Sequence, residues 1–115
     1  MKDYTAIRER YLRDDISIRL GGLAANLSRI KSFANNENNK VLVESLIDES
    51  KHFIEWTAHE AEIETAAQLV ELQVQLALLQ IKLNNLWLEP EQRKIISEKS
   101  NEWSQQVLIA SGLLS

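Results

Sequence analysis

Two heptad seams share one segment, residues 58–88, and they constrain the fold more than any other feature of the chain. The first is all leucine: Leu69, Leu72, Leu76, Leu79, Leu83 and Leu86, in steps of 3, 4, 3, 4 and 3. The second is Ile63, Ala67, Val70, Val74, Ala77 and Ile81, in steps of 4, 3, 4, 3 and 4. Alternating steps of three and four mark a helix packed lengthwise against another at a shallow angle. At about 100° per residue the two seams lie roughly 160° apart. Gln68, Glu71, Gln75 and Lys82 separate them on one side, and Gln73, Gln80 and Asn84 on the other. A helix with opposite apolar faces needs cover on both sides. One seam is therefore expected to face the chain's own helices and the other a second copy, giving a homodimer. Spacing alone leaves open which seam does which. A helix of about 31 residues would be ~46 Å long, more than the ~35 Å diameter of a compact 115-residue globule, so an elongated molecule is expected.

The remaining pattern is also helical. A short helix over 4–13 starts at the cap Asp3, with Tyr4, Ile7 and Tyr11 or Leu12 on one side. A second, over 16–33, starts at Asp15 and carries the stripe Ile16, Leu20, Leu23, Leu27, Ile30 and Ala34. Gly21 and Gly22 lie inside it, each costing about 1 kcal/mol against alanine, which points to close packing by a neighbour. Four asparagines in Asn35-Asn36-Glu37-Asn38-Asn39 break the pattern as a loop. A third helix over 40–56 presents Leu42, Val43, Leu46, Ile47, Phe53 and Ile54. Thr57 and Glu60 fit a capping box, so a turn is placed at Thr57 and the fourth helix at 58–88. One continuous helix through Thr57 satisfies the periodicity equally well. Glu89-Pro90 ends the fourth helix and opens a fifth over 90–111, with the stripe Ile96, Trp103, Val107 and Ala110 and a stop at Gly112. The expected fold is one all-α domain: an elongated antiparallel bundle of four to five helices.

Composition narrows the functional classes. With 3 glycines and 1 proline in 115 residues, the tight turns of an all-β fold are lacking. With no cysteine, disulfides, thiolate metal sites and cysteine nucleophiles are excluded. The start of the chain runs into Arg8, Glu9 and Arg10 instead of an apolar stretch, and no run is long enough to span a bilayer, so a cytoplasmic protein without membrane contact is expected. The net charge of −4 is unevenly spread, +3 over residues 1–40 and −7 over residues 41–115. Opposite charges on adjacent helices explain that split. An acidic chain without aromatic residues among its arginines is not expected to bind nucleic acid.

Few constellations carry chemistry. His52, Glu55 and His59 would share a face if the third and fourth helices were continuous, and imidazole with carboxylate suits zinc, iron or manganese. A turn at Thr57 disperses them, and no carboxylate-histidine tetrad of the di-iron type is present. These three are weak candidates expected on a solvated surface, and neither a metal nor a cofactor is expected. Acidic residues cluster from Glu44 to Glu71, a pattern a solvated face explains and a basic protein partner would also fit. No nucleophile elbow or Ser-His-Asp pattern appears.

The strings Arg19-Leu20-Gly21-Gly22-Leu23-Ala24-Ala25-Asn26-Leu27 and Glu49-Ser50-Lys51-His52-Phe53-Ile54-Glu55-Trp56-Thr57-Ala58 are similar to small all-helical cyanobacterial proteins of unknown function. That resemblance implies a cytoplasmic setting and brings no activity or site residues. The expected role is a self-associating interaction or regulatory module without catalysis. The competing expectation is a bundle that binds a metal or small ligand.

Overall fold

The computed structural model describes residues 2–113, which form an all-α fold without strands. The helices are α1 (Tyr4–Leu12), α2 (Ile16–Phe33), α3 (Lys40–Thr57), α4 (Ile63–Leu86) and α5 (Pro90–Ser111), with 3-10 turns at Glu37–Asn39 and Ala58–Glu60. Helices α2 to α5 alternate in direction. Asn26 of α2 meets Glu49 of α3, Lys51 of α3 meets Gln80 of α4, and Ser97 and Ser104 of α5 bond to Lys31 and Ala24 of α2. Short α1 runs parallel to α3, with Tyr4 against Asp48 and Tyr11 stacked on Phe53.

Local chemistry explains most boundaries. The Asp3 carboxylate accepts from the Thr5 and Ala6 amides, and that of Asp15 from Ile18. Asn36 accepts from the Asn38 amide, and the Asn39 side chain donates to Phe33 O, so the asparagine loop folds on its own side chains. Gly112 has φ of 76°, the left-handed conformation that stops α5. The α2 stripe is the spine of the core, with Leu20, Leu23, Leu27, Ile30 and Ala34 all buried.

Three expectations require correction. The fourth helix starts at Ile63, not 58, and ends at Leu86, not 88. Its 24 residues span ~36 Å, inside a molecule of 38 × 31 × 21 Å with a radius of gyration of 13.7 Å, so the shape is a compact slab and not an elongated rod. The capping box at Thr57 does not form. Thr57 completes the buried seam of α3 (Val43, Ile47, Ser50, Ile54, Thr57), and its hydroxyl turns inward toward the Tyr11 phenol. Glu60, the other half of the expected box, instead pairs with Arg19 at 2.9 Å. The chain reverses through the Ala58–Glu60 turn and extended Ala61, so α3 and α4 are separate helices.

The third correction concerns α5. Its apolar stripe is only part of what it buries. Ile96 and Val107 are in the core and Trp103 and Ala110 are half-buried, but α5 also buries Arg93, Ser97, Ser100, Ser104 and Ser111. The Ser97 and Ser104 hydroxyls donate to α2 carbonyls at 2.8 Å each. Small side chains that satisfy themselves on a neighbouring backbone let two helices approach closely. Gly21 belongs to the same contact: a Cβ there would lie 2.9 Å from Leu113 Cδ1.

Candidate functional site

The two seams of α4 have opposite fates. The leucine seam is the inner one: Leu69, Leu72, Leu76 and Leu83 are buried, and Leu79 and Leu86 pack against the core. The other seam is open. Ile63 is 86% exposed, Val70 52%, Val74 49% and Ile81 78%, with exposed Ala67 and half-buried Ala77 between them. This outer face is a continuous apolar strip running most of the length of the helix. Large side chains in that number, aligned on one face, mark an interaction surface more often than scattered surface hydrophobics do.

The flanks of the strip differ. On one side α4 is fastened to α3: Gln73 donates to Lys51 O at 3.2 Å, Lys51 donates to Gln80 at 2.7 Å, and Lys40 bonds to Asn84. On the other side α4 and α5 stand apart and leave a groove. Its central part, of about 360 Å³, is walled by Ala67, Leu72 and Trp103; a further part of about 190 Å³ lies between Leu78, Leu79, Leu86, Ile95 and Trp103. Exposed Leu78 and Ile95 carry the apolar strip from α4 across to α5.

The weak metal candidates are scattered. His52 is not solvated as expected. Its ring stacks on Tyr4 with centroids 4.0 Å apart, lies 5.6 Å from Trp56, and has Nδ1 2.8 Å from Asp48 O. The Tyr4 hydroxyl donates to Asp48, and Lys2 pairs with Glu49 at 3.2 Å. This cluster docks α1, which is too short to be stable alone. Glu55 and His59 are exposed elsewhere, and among the described residues no group of three or more such side chains is placed to hold a metal ion. Burial raises the Tyr4 hydroxyl well above its usual pKa, with Asp48 adding to the shift. Burial also works to raise the Asp48 carboxyl, but its bonds to Tyr4 and Gln80 and the nearby His52 and Lys51 outweigh it and hold the group below its usual value.

Two buried arginines were not legible from spacing. Arg19 ties the α1–α2 junction to the Ala58–Glu60 turn: Nε donates to Asp14 O at 2.8 Å and Nη1 meets Glu60 at 2.9 Å. Arg93 closes the α4–α5 corner, donating to Trp87 O at 2.6 Å with its guanidinium 5.8 Å from the Trp87 ring. The pairs Lys2–Glu49 and Arg19–Glu60 join the basic N-terminal third to the acidic remainder, as the charge split suggested. An open cleft of about 570 Å³ lies over Tyr11, Gly21, Gly22 and Asn26, with Leu113, the last described residue, on its wall.

Among the described residues no helix is long and apolar enough to cross a membrane. No protein-family model matches the chain, and neither a curated protein nor a solved structure matches it.

Proposed function

We propose that this protein is a self-associating interaction module that presents the outer face of α4 to a second copy of itself and performs no chemistry of its own. The observation that carries the reading is the exposed heptad seam Ile63, Ala67, Val70, Val74, Ala77 and Ile81. A seam with 3.5-residue periodicity is complementary to another helix laid along it, not to a small molecule or a flat surface. A second copy supplies such a helix, and a closed two-fold pair is the simplest assembly of identical chains. In that pair α4 lies between its own core and its twin, the covered position its two apolar faces call for.

Sedimentation velocity at tens of micromolar tests the reading. The parent chain is expected to run as a dimer and the Val74→Glu variant as a folded monomer. A parent that sediments as a monomer across that range overturns it.

A further inference from the structure

The outer seam of α4 reads the same in both directions. In order it is Ile, Ala, Val, Val, Ala, Ile, with spacings 4, 3, 4, 3, 4. Ile63 mirrors Ile81, Ala67 mirrors Ala77, and Val70 mirrors Val74, all about the level of Leu72. A parallel, in-register pair always matches each residue with itself and has no use for such a palindrome. An antiparallel pair matches like with like only if the palindrome is present. Resting on the self-association reading above, we propose that two copies pair antiparallel along α4, with the two-fold axis crossing the helix at the level of Leu72.

Size, charge and helix polarity agree with that arrangement. Isoleucine then meets isoleucine at both ends, valine meets valine at the centre, and alanine meets alanine in the two layers between. The alanine layers draw the backbones together, and the isoleucines close the ends. The start of α4 is acidic, with Glu60, Glu62 and Glu64 and no Lys or Arg before Lys82. A parallel pair would gather both sets of carboxylates at the same end of the pair. The antiparallel pair brings Lys82 of the second copy close to Glu64, which lies on the same flank of the seam, and opposes the helix dipoles favourably. One unfavourable contact comes with it. Glu71 flanks the seam one residue from the axis, on the side that faces its own twin in an antiparallel pair, where the two carboxylates repel. In a parallel pair the same position faces the Ala66 and Gln73 row instead.

Cysteine cross-linking decides between the arrangements, because the chain has no thiol of its own. Ala67→Cys and Ala77→Cys are made singly, on chains of different tag mass, and oxidised alone and as a mixture. In the antiparallel pair residue 67 lies beside 77 of the other copy, while the two copies of 67 are separated by ten residues, or ~15 Å along the axis. That is beyond the ~7 Å Cα limit for a disulfide. The expected result is no cross-linked dimer from either variant alone and a mixed-mass disulfide dimer from the two together. Self-cross-linking of each variant alone overturns the antiparallel arrangement and leaves self-association standing. A parent that sediments as a dimer while no combination cross-links shows that another surface pairs, and overturns the proposal. A monomeric parent removes the self-association reading itself. Glu71→Gln, which alters no buried residue, gives an independent measure: the dimer is expected to tighten, its dissociation constant falling several-fold, and an unchanged dissociation constant counts against the axis at Leu72.

Discussion

Helix α5 touches α2 on one side and α4 on the other, and the two contacts close to different degrees. Against α2 it offers Ser97, Ser100, Ser104 and Ser111, facing a helix that carries Gly21 and Ala24, and the backbones come together along most of their length. Against α4 it offers Ile96 and Trp103 to a row of leucines, and the backbones approach in few places, leaving the groove. Side-chain size sets the separation. Serine costs little space, and the Ser97 and Ser104 hydroxyls bond to α2 carbonyls, so the two helices settle close. Leucine and tryptophan fill the gap with their own volume and hold the helices apart. The tight contact makes α2 and α5 the most closely packed pair of helices in the molecule. The loose one leaves a groove beside α4, whose outer face is a long apolar strip that nothing in the chain covers among the described residues.

The largest effect tests the two faces of α4. Leu76→Glu places a charge without a partner in the fully buried seam and is expected to unfold the chain, a loss above ~4 kcal/mol. Val74→Glu, two residues away on the open face, is expected to keep the monomer's stability within about 0.5 kcal/mol. Circular-dichroism melts compare them, and equal losses would erase the distinction between inner and outer seams.

Next comes bulk added on the two sides of α5. Ser100→Leu inserts a large side chain into the close α2 contact, where Ser100 is fully buried. It should cost about 2–3 kcal/mol. Gln106→Trp adds comparable volume beside the α4 groove and should change stability by less than ~0.5 kcal/mol. Urea unfolding reads both, and a tolerated Ser100→Leu would mean that the serine seam does not set the helix separation.

A smaller effect belongs to α1. His52→Ala removes the ring on which Tyr4 stacks and is expected to cost about 1 kcal/mol. Amide exchange should accelerate in α1 while the α2 core keeps its protection. Unchanged exchange in α1 would show that the Tyr4–His52 stack does not dock it.

The last prediction has no effect at neutral pH. Burial, opposed in part by Thr57 and Arg19, pushes the Tyr11 hydroxyl up to about 12 from its usual 10. The folded protein holds the phenol neutral where the unfolded chain would ionise it. Its contribution is complete below pH 10 and is lost as pH rises from 10 toward 12. The melting temperature of the parent should fall more steeply across that window than that of Tyr11→Phe. Parallel slopes would place the alkaline loss elsewhere.

Much of the frame was legible from local rules. The α2 stripe from Leu20 to Ala34, the caps Asp3 and Asp15, the asparagine loop, Pro90 and Gly112 each act over a few residues, so spacing reveals them. The capping box at Thr57 failed because a distant partner, Arg19, claims Glu60 and because the core claims Thr57. His52 was misplaced for a similar reason: the ring that covers it belongs to Tyr4, 48 residues earlier. The serine seam of α5 has a heptad spacing of its own, Ser97, Ser100, Ser104 and Ser111, but a search for apolar periodicity passes over hydroxyls. The mirror order of the outer α4 seam was present in the sequence too, and became informative only once that seam was known to be open.

What the sequence determined by itself is that the chain is helical, where most helices lie, and that α4 carries two apolar faces, because periodicity and capping are properties of neighbouring residues. Which face turned inward was left to the tertiary structure. Each seam alone satisfies the heptad rule, and the choice depends on volume summed over helices far apart in the chain. The six leucines fill the space between α4 and its neighbours, and the other seam, with two alanines and two valines between Ile63 and Ile81, carries less volume and is left facing out.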